Sequence, residues 1–453
     1  MEIFRHLLVR PGDVILAMDR PVVSGGLKLA RARAVDCPCL LVQRVARLRG
    51  REGTTDFLYY ALSSPAFVRH ILVGGQTGTQ LPHISGKRIE SFQFPLAPEP
   101  EQQRIVEAIE SYFTRLDDAV ATLERMERNL KRYRASVLKS AVEGRLVPTE
   151  AVLAKQQSRS YEPASVLLER VLTERRGRWS KLGRKGKYEE PARPDTTNLP
   201  ELPQGWCWTT VEQLASQEPR SIQSGPFGSS LLHSEFTEEG KLVIGIDNVQ
   251  DGYFSMGVEH RISDEKYKAL QKFAARPGDV LVTVMATIGR TCVVPNDLEP
   301  AIITKHVYRV SPDQNLVLSR FLHLCLWGGP AVREQMFGKV QGQTRPGLNG
   351  TVIKRLAIPL PPLVEQARIL AEADRLLSVG AATQAATAQT EGRLARLRQS
   401  ILKWAFEGKL ADQDSKDEPA CALLERIEAE RAAGNSAKAS GPQRTATKKQ
   451  VRA

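Results

Sequence analysis
Apolar residues recur along two long stretches of this chain in the alternating steps of three and four that define a helical seam. In the first stretch they are Ile109, Tyr112, Leu116, Ala119, Leu123, Met126, Leu130, Tyr133 and Val137. The second has Ala373, Leu376, Gly380, Thr383, Thr387, Thr390, Leu394, Leu397 and Ile401 at the matching places, bulky at its ends and small in its middle. The two are one pattern written twice. Glu101-Gln102-Gln103-Arg104-Ile105 opens the first, and Leu138-Lys139-Ser140-Ala141-Val142-Glu143-Gly144 closes it. Glu365-Gln366-Ala367-Arg368-Ile369 and Leu402-Lys403-Trp404-Ala405-Phe406-Glu407-Gly408 repeat both ends at one displacement, 264 residues (365 − 101 and 407 − 143). A helix of that length is a rod roughly 60 Å long at 1.5 Å per residue, and it cannot bury its seam alone. The pattern therefore predicts an antiparallel coiled coil. In it Leu123 and Met126 face the small residues between Gly380 and Thr390, where backbones can approach closely.

The segments around the rods repeat as well. Residues 1–97 read as short strands and turns: Arg10-Pro11-Gly12-Asp13 is a turn leading into the strand 14–17, a helical piece covers 56–70, and a Gly, Gln and Thr-rich loop covers 74–80. Later, Arg276-Pro277-Gly278-Asp279 repeats the turn and 280–284 repeats its strand, with further strands at 243–246 and 252–254 and a helix at 319–337. Gly342-Gln343-Thr344 answers Gly75-Gln76-Thr77, and Ile358-Pro359-Leu360 answers Phe94-Pro95-Leu96. The predicted class is α+β with a pseudo-two-fold internal repeat. It comprises a first domain at 1–97, a spacer helix at 98–147, a connector at 148–198, a second domain at 199–362, a second long helix at 363–411, and a connector helix with a disordered tail at 412–453. The first domain has no counterpart of Gly225-Pro226-Phe227-Gly228, so it reads as N-terminally truncated.

Composition narrows the function. A hydrophobic share of 42% and a charged share of 25% are ordinary for a soluble globular chain, whereas a net charge of +13 favours a polyanionic partner. No apolar run reaches the length of a bilayer span, and Arg10-Pro11-Gly12-Asp13 interrupts any signal-peptide pattern, so no membrane association and a cytoplasmic location are expected. Of the cysteines only Cys37 and Cys39 are close, without the second pair or histidines that a zinc site needs. There is no P-loop, no methyl-donor tetrapeptide, no glycine-rich dinucleotide turn and no carboxylate cluster for a nuclease metal. These readings point to a binding protein with no catalytic or metal-ligating residues of its own.

The combination of parts resembles the specificity (S) subunits of type I restriction-modification enzymes. It is carried by the Glu-Gln-x-x-Ile helix starts, the Leu-Lys-x-Ala-x-Glu-Gly helix ends at Leu138 and Leu402, the Gly225-Pro226-Phe227-Gly228 loop and the two Arg-Pro-Gly-Asp turns, and it spans nearly the whole chain. The resemblance implies two target-recognition domains joined by two long antiparallel helices, each domain reading half of a split double-stranded DNA sequence. It also implies modification (M) subunits that methylate adenine with S-adenosylmethionine, docked on the outward helix faces, and restriction (R) subunits that use ATP and Mg. No cofactor falls to this chain itself. The alternative is a truncated remnant that binds M or S subunits without reading a full site.

Base reading calls for polar side chains on loops, with Lys and Arg to hold phosphates. The candidates are Ser224, Ser229, Ser230, Lys305, His306, Gln341, Gln343, Thr344 and Arg345 in the second domain, and Lys28, Gln76, Thr77 and Gln80 in the first.

Overall fold
Helix starts, strand breaks and glycine positions account for much of the architecture in the computed structural model, which describes residues 2–23, 26–51, 53–72, 83–181, 188–338 and 348–439. The chain forms two units. One comprises Met1–Met126 with Ala386–Ala453, the other Glu127–Ala385. Both long helices are continuous over 44 residues, Glu99–Val142 and Leu363–Phe406, and each contributes one part to either unit. The predicted loops 74–80 and 342–344 lie outside the described residues.

In the first unit the strand Val14–Ala17 is the centre of a three-stranded antiparallel sheet, between Leu29–Arg31 and Val45–Leu48. Val14 and Leu16 point into a core with Leu62, Phe67, Ile71, Ile84 and Ile89. The single helix expected at 56–70 is two, Thr55–Ser63 and Pro65–Leu72, because the ring of Pro65 disfavours the α conformation for Ser64, which is extended. The same device splits the helix expected at 319–337 into Ser319–Gly328 and Pro330–Gly338 in the second unit. Within the first unit the long helices run antiparallel: Ile105, Ile109 and Leu116 pack with Ile401, Leu402 and Ala405 around Phe57 and Tyr60. The guanidinium of Arg398 lies 4.2 Å from the Phe113 ring centroid and 3.2 Å from the Asp117 carboxylate.

The second unit holds two four-stranded sheets. One runs Thr291–Val293, Val280–Thr283, Val307–Val310, Ile222–Ser224, all antiparallel. The other runs His260–Ile262, Lys241–Ile244, Ala301–Ile303, Ala274–Ala275, with Lys241–Ile244 parallel to Ala301–Ile303. The strand expected at 252–254 is not formed; Phe254 makes a single bridge to Val249. Gly252 there has φ +94° and lies so close to the Trp327 indole that a Cβ would come within 2.4 Å of it. In this unit too the long helices are antiparallel, Leu138, Ala141 and Val142 sharing a core with Ile369, Leu370 and Ala373.

The predicted seam is sealed at its ends and mostly half-buried or exposed in its middle, where Thr387 is buried. Ile109, Leu116, Val137 and Ile401 are buried, Leu123, Leu130, Leu376 and Leu394 half-buried, and Tyr112, Met126, Tyr133 and Leu397 exposed. Met126, expected against small residues, is 40% exposed. A Cβ on Gly380 would meet Tyr133, at 3.9 Å. Side chains as small as Gly380, Ala381 and Thr383 cannot enclose Tyr or Met rings and thioethers from across a helix pair.

The helix starts show why Glu-Gln is written twice. Gln366 Nε2 donates to Pro361 O at 3.0 Å, and Gln102 Nε2 donates to Ala97 O at 2.8 Å, the same bond one repeat apart. Glu365 accepts from Trp206 Nε1 at 2.8 Å and from the Glu150 backbone N–H at 2.7 Å, and burial raises its carboxyl above the ordinary value despite those bonds. At the other end of the second unit's connector, the helix Ala164–Lys181 buries Leu167, Leu168 and Val171. Its repeat, Ala420–Ala439, takes up most of the described part of the stretch 412–453 expected to hold a connector helix and a disordered tail; 440–453 lie outside the described residues.

Candidate nucleic-acid interface
Three loops of the second unit are pinned together by backbone hydrogen bonds. The strand Ala301–Ile303 belongs to one sheet and Val307–Val310 to the other, so the chain changes sheets through the turn 304–306. Gly225 N donates to Thr304 O at 3.3 Å, which sets the loop 225–230 on that turn. Only glycine fits there: a Cβ would lie 2.1 Å from Ile303 O and 2.4 Å from the Thr304 carbonyl carbon. From the other side, Val284 N donates to His306 O at 3.0 Å and brings in the loop 285–290 between the strands Val280–Thr283 and Thr291–Val293.

The third loop is itself internally tied. Thr283 Oγ1 donates to Thr287 O, Gly289 N to Thr283 O at 2.9 Å, and Arg290 N to Thr283 Oγ1 at 3.1 Å. Ala286 sits at φ +60°, a left-handed conformation that costs a non-glycine residue about 1 kcal/mol. Leu348 N donates to Val284 O at 3.1 Å, so the chain resumes beside this loop after 339–347.

The three loops contain Arg290 and Lys305 and no Asp or Glu. Lys305 is exposed and makes no ion pair among the described residues. Burial, then the neighbouring Lys305 charge, holds the His306 imidazole below its ordinary pKa, so it is neutral at neutral pH and offers one donor and one acceptor nitrogen. Thr287 Oγ1, Thr304 Oγ1 and His306 Nδ1 are shielded from solvent and have no hydrogen-bond partner among the described residues. The exposed hydroxyls of Ser229 and Ser230, the Lys305 cation and a rigid backbone make a surface suited to a polyanion with base edges.

The predicted residues divide as follows. Ser229 and Ser230 are exposed in the short turn Gly228–Ser230, on the loop that touches the Lys305 and His306 turn. Ser224 is buried at the end of its strand, its hydroxyl donating to Gly225 O at 3.3 Å, so it shapes the loop from beneath. Lys28 is exposed in the first unit, between the strands Gly26–Leu27 and Leu29–Arg31. Gln76, Thr77, Gln80, Gln341, Gln343, Thr344 and Arg345 lie outside the described residues. Sequence reasoning passed over Phe227, Met285, Thr287, Arg290 and Thr304. A glycine near the end of a gap between two β-branched runs, as at Gly289, was the available signal for the loop 285–290. Among the described residues no group of three His, Cys, Asp or Glu could hold a metal ion, and no helix is long and apolar enough to cross a membrane.

Comparison with known proteins fits this arrangement. Residues 228–388 match the family described as the type I restriction modification DNA specificity domain. The chain is 27% identical over 447 residues to the type I restriction enzyme EcoBI specificity subunit of Escherichia coli, spanning 95% of this chain and 82% of that one. It is 24% identical over 452 residues to the EcoKI specificity subunit of Escherichia coli strain K12, spanning 95% and 84%. A solved chain from work on complex assembly and conformational transition of the type I R-M system superposes with a TM-score of 0.59 at 23% identity, covering 89% of this chain and 83% of that one. By fold this is an α+β protein whose domains are carried on a pair of long antiparallel helices, with its loops and helix starts built as an internal repeat. Residues 228–388 carry the specificity-domain match, and over 95% of its length the chain is similar to specificity subunits of type I restriction enzymes.

Proposed function
We propose that this chain is the sequence-specific DNA-binding subunit that directs adenine methylation and restriction by partner chains to a bipartite target. The observation that carries this reading is the convergence of 225–230, 285–290 and 304–306 into one acid-free surface, tied by the Gly225 to Thr304 and Val284 to His306 bonds. Phosphate contacts from Lys305 and Arg290 fix register on the duplex, and Ser229, Ser230 and His306 meet base edges. The chain itself is non-catalytic and binds no cofactor. S-adenosylmethionine is held by M subunits, ATP and Mg by R subunits, and the assembly works on cytoplasmic DNA.

The test is single-molecule methylome sequencing of cells expressing this chain with its M subunit. The expected result is a split adenine motif that disappears when this chain is deleted. An unchanged methylome sinks the reading.

A further inference from the structure
In the second unit one short segment is held at four points. Its strand Cys207–Thr210 pairs antiparallel with Ala357–Leu360. Trp206 Nε1 donates to Glu365 at 2.8 Å, and the same ring covers the helix end at Gly144, where a Cβ would come within 3.0 Å of it. Trp206, Val211 and Leu214 share a core with Leu168 and Val171 of the helix Ala164–Lys181, and Arg175 of that helix donates to Gln213 O at 2.8 Å.

The first unit repeats the receiving groups without that segment. Phe94 and Leu96, which match Ile358 and Leu360, have no strand partner among the described residues. Glu101, which matches Glu365, is only 6% exposed yet makes no hydrogen bond or ion pair among the described residues. A Cβ on Gly408, which matches Gly144, would meet only the amide nitrogen of Gln413, the end of a flexible side chain, at 3.2 Å. The connector helices align through their shared ion pairs, Glu162 with Arg170 at 3.1 Å and Glu418 with Arg426 at 2.8 Å. In that alignment Leu424 is 47% exposed where Leu168 is 9%, and Arg431 is exposed where Arg175 is buried. Arg104, one turn after Glu101, meets Asp417 at 2.6 Å and so keeps the start of the helix Ala420–Ala439 beside the Glu101 turn.

We propose that the first unit carries a docking site for a partner-chain segment with the chemistry of Trp206–Leu214: an indole donor for Glu101, a strand that adds to the edge 94–96, and a following apolar turn against Leu424. Each feature is costly when left open. A buried carboxylate without a donor loses its hydration for nothing, and an unpaired strand edge exposes backbone groups that another strand satisfies. Strand addition supplies affinity through the backbone, and the indole bond and apolar contact supply selectivity.

The probe is a fluorescein-labelled synthetic peptide with the sequence of 199–215, titrated into the full chain, whose second unit already holds its own copy of that segment. Expected are a saturable rise in anisotropy and slower hydrogen exchange at the Phe94 and Leu96 amides. Trp206→Ala in the peptide and Leu424→Asp in the chain should each weaken binding about 10-fold or more. Trp206→Phe in the peptide keeps a ring and drops the donor. It should lose affinity for the wild-type chain and lose nothing further on Glu101→Ala, since the two changes remove one bond. Glu101 has no bond of its own to lose, so Glu101→Ala leaves the fold as it is. Absence of saturable binding, or binding that Trp206→Ala and Leu424→Asp leave unchanged, overturns the proposal. Concentration-dependent dimerisation of the full chain that Leu424→Asp abolishes puts a second copy at this site and overturns the partner assignment. No DNA enters the measurement, so the DNA-reading function stands or falls separately.

Discussion
Arg309 Nε stands 3.7 Å from Asp279 Oδ2, with both side chains almost sealed from solvent. That distance is an ion pair and too long for a hydrogen bond. The guanidinium is anchored instead by Nη1 donating to Ala274 O and Nη2 donating to Arg220 O at 2.7 Å, so one side chain from the first sheet ties down a strand of the second. Burial depresses the Arg309 pKa and, against the Ser311 and Arg276 hydrogen bonds and the Arg309 charge, raises that of Asp279. The repeat has the same pair in a wetter setting: Arg47 Nε is 4.0 Å from Asp13 Oδ2, joined by Arg49. There the hydrogen bonds from Arg49 and Arg10 outweigh burial and lower the Asp13 carboxyl.

Arg309→Met should therefore cost much more than Arg49→Ala. The first leaves buried Asp279 with only the exposed Arg276 as a counter-charge and frees two carbonyls, a loss of about 3 kcal/mol or more; the second removes a partly exposed partner while Arg47 remains, about 1 kcal/mol or less. Urea titration with hydrogen exchange read at Val280–Thr283 and Val14–Ala17 compares them. Equal losses would contradict the difference in burial.

Gly225→Ala places a methyl group on Ile303 O, so the loop must leave the turn 304–306. The expected result is loss of sequence preference with salt-dependent binding kept. Gly228→Ala meets no atom within 4 Å and only strains a left-handed backbone, a cost of about 1 kcal/mol. Its binding should stay near wild type in gel-shift titrations.

Lys305→Ala is expected to weaken binding to all DNA alike. The slope of log affinity against log salt should fall by about one, while the preferred motif stays the same. A changed motif would assign Lys305 to base reading.

Acid stability should report on Glu150. Burial alone would raise its carboxyl, but the guanidiniums of Arg368, at 2.7 Å, and Arg159, at 2.5 Å, hold it below its ordinary value of 4.5. A lowered pKa in the folded chain means that this stabilisation is complete above the ordinary value and is lost as pH falls through the folded one. The stability gap between wild type and Glu150→Gln should be widest at neutral pH and shrink below about pH 4.5. A gap independent of pH would mean that the arginines do not act through the charge.

Inserting one heptad into each long helix, at matching points within 105–137 and 373–401, preserves the seam phase. The M-dependent methylome of such a variant should keep both half-sites and lengthen the spacer between them. An unaltered spacer would remove the helices from the measuring role.

The repeat, the antiparallel pairing and the positive charge were legible from the chain because each is periodic or additive. Glu-Gln starts, 264-residue spacing, Arg-Pro-Gly-Asp turns and seam residues such as Ile109 and Ile401 depend on local backbone geometry and on hydrophobicity alone. Breaks at Ser64 and Gly329 were local too, and were missed only by giving too little weight to the prolines that follow. What tertiary structure decided is which distant loops share a surface. Gly225, Val284 and His306 meet because the turn 304–306 crosses between two sheets, and nothing at those positions announces the crossing. Burial also split residues of like chemistry, Ser224 beneath its loop and Ser229 on it, and set Asp13 and Asp279 to opposite pKa shifts. Solvation depends on neighbours far along the chain, and those neighbours exist only once it has folded.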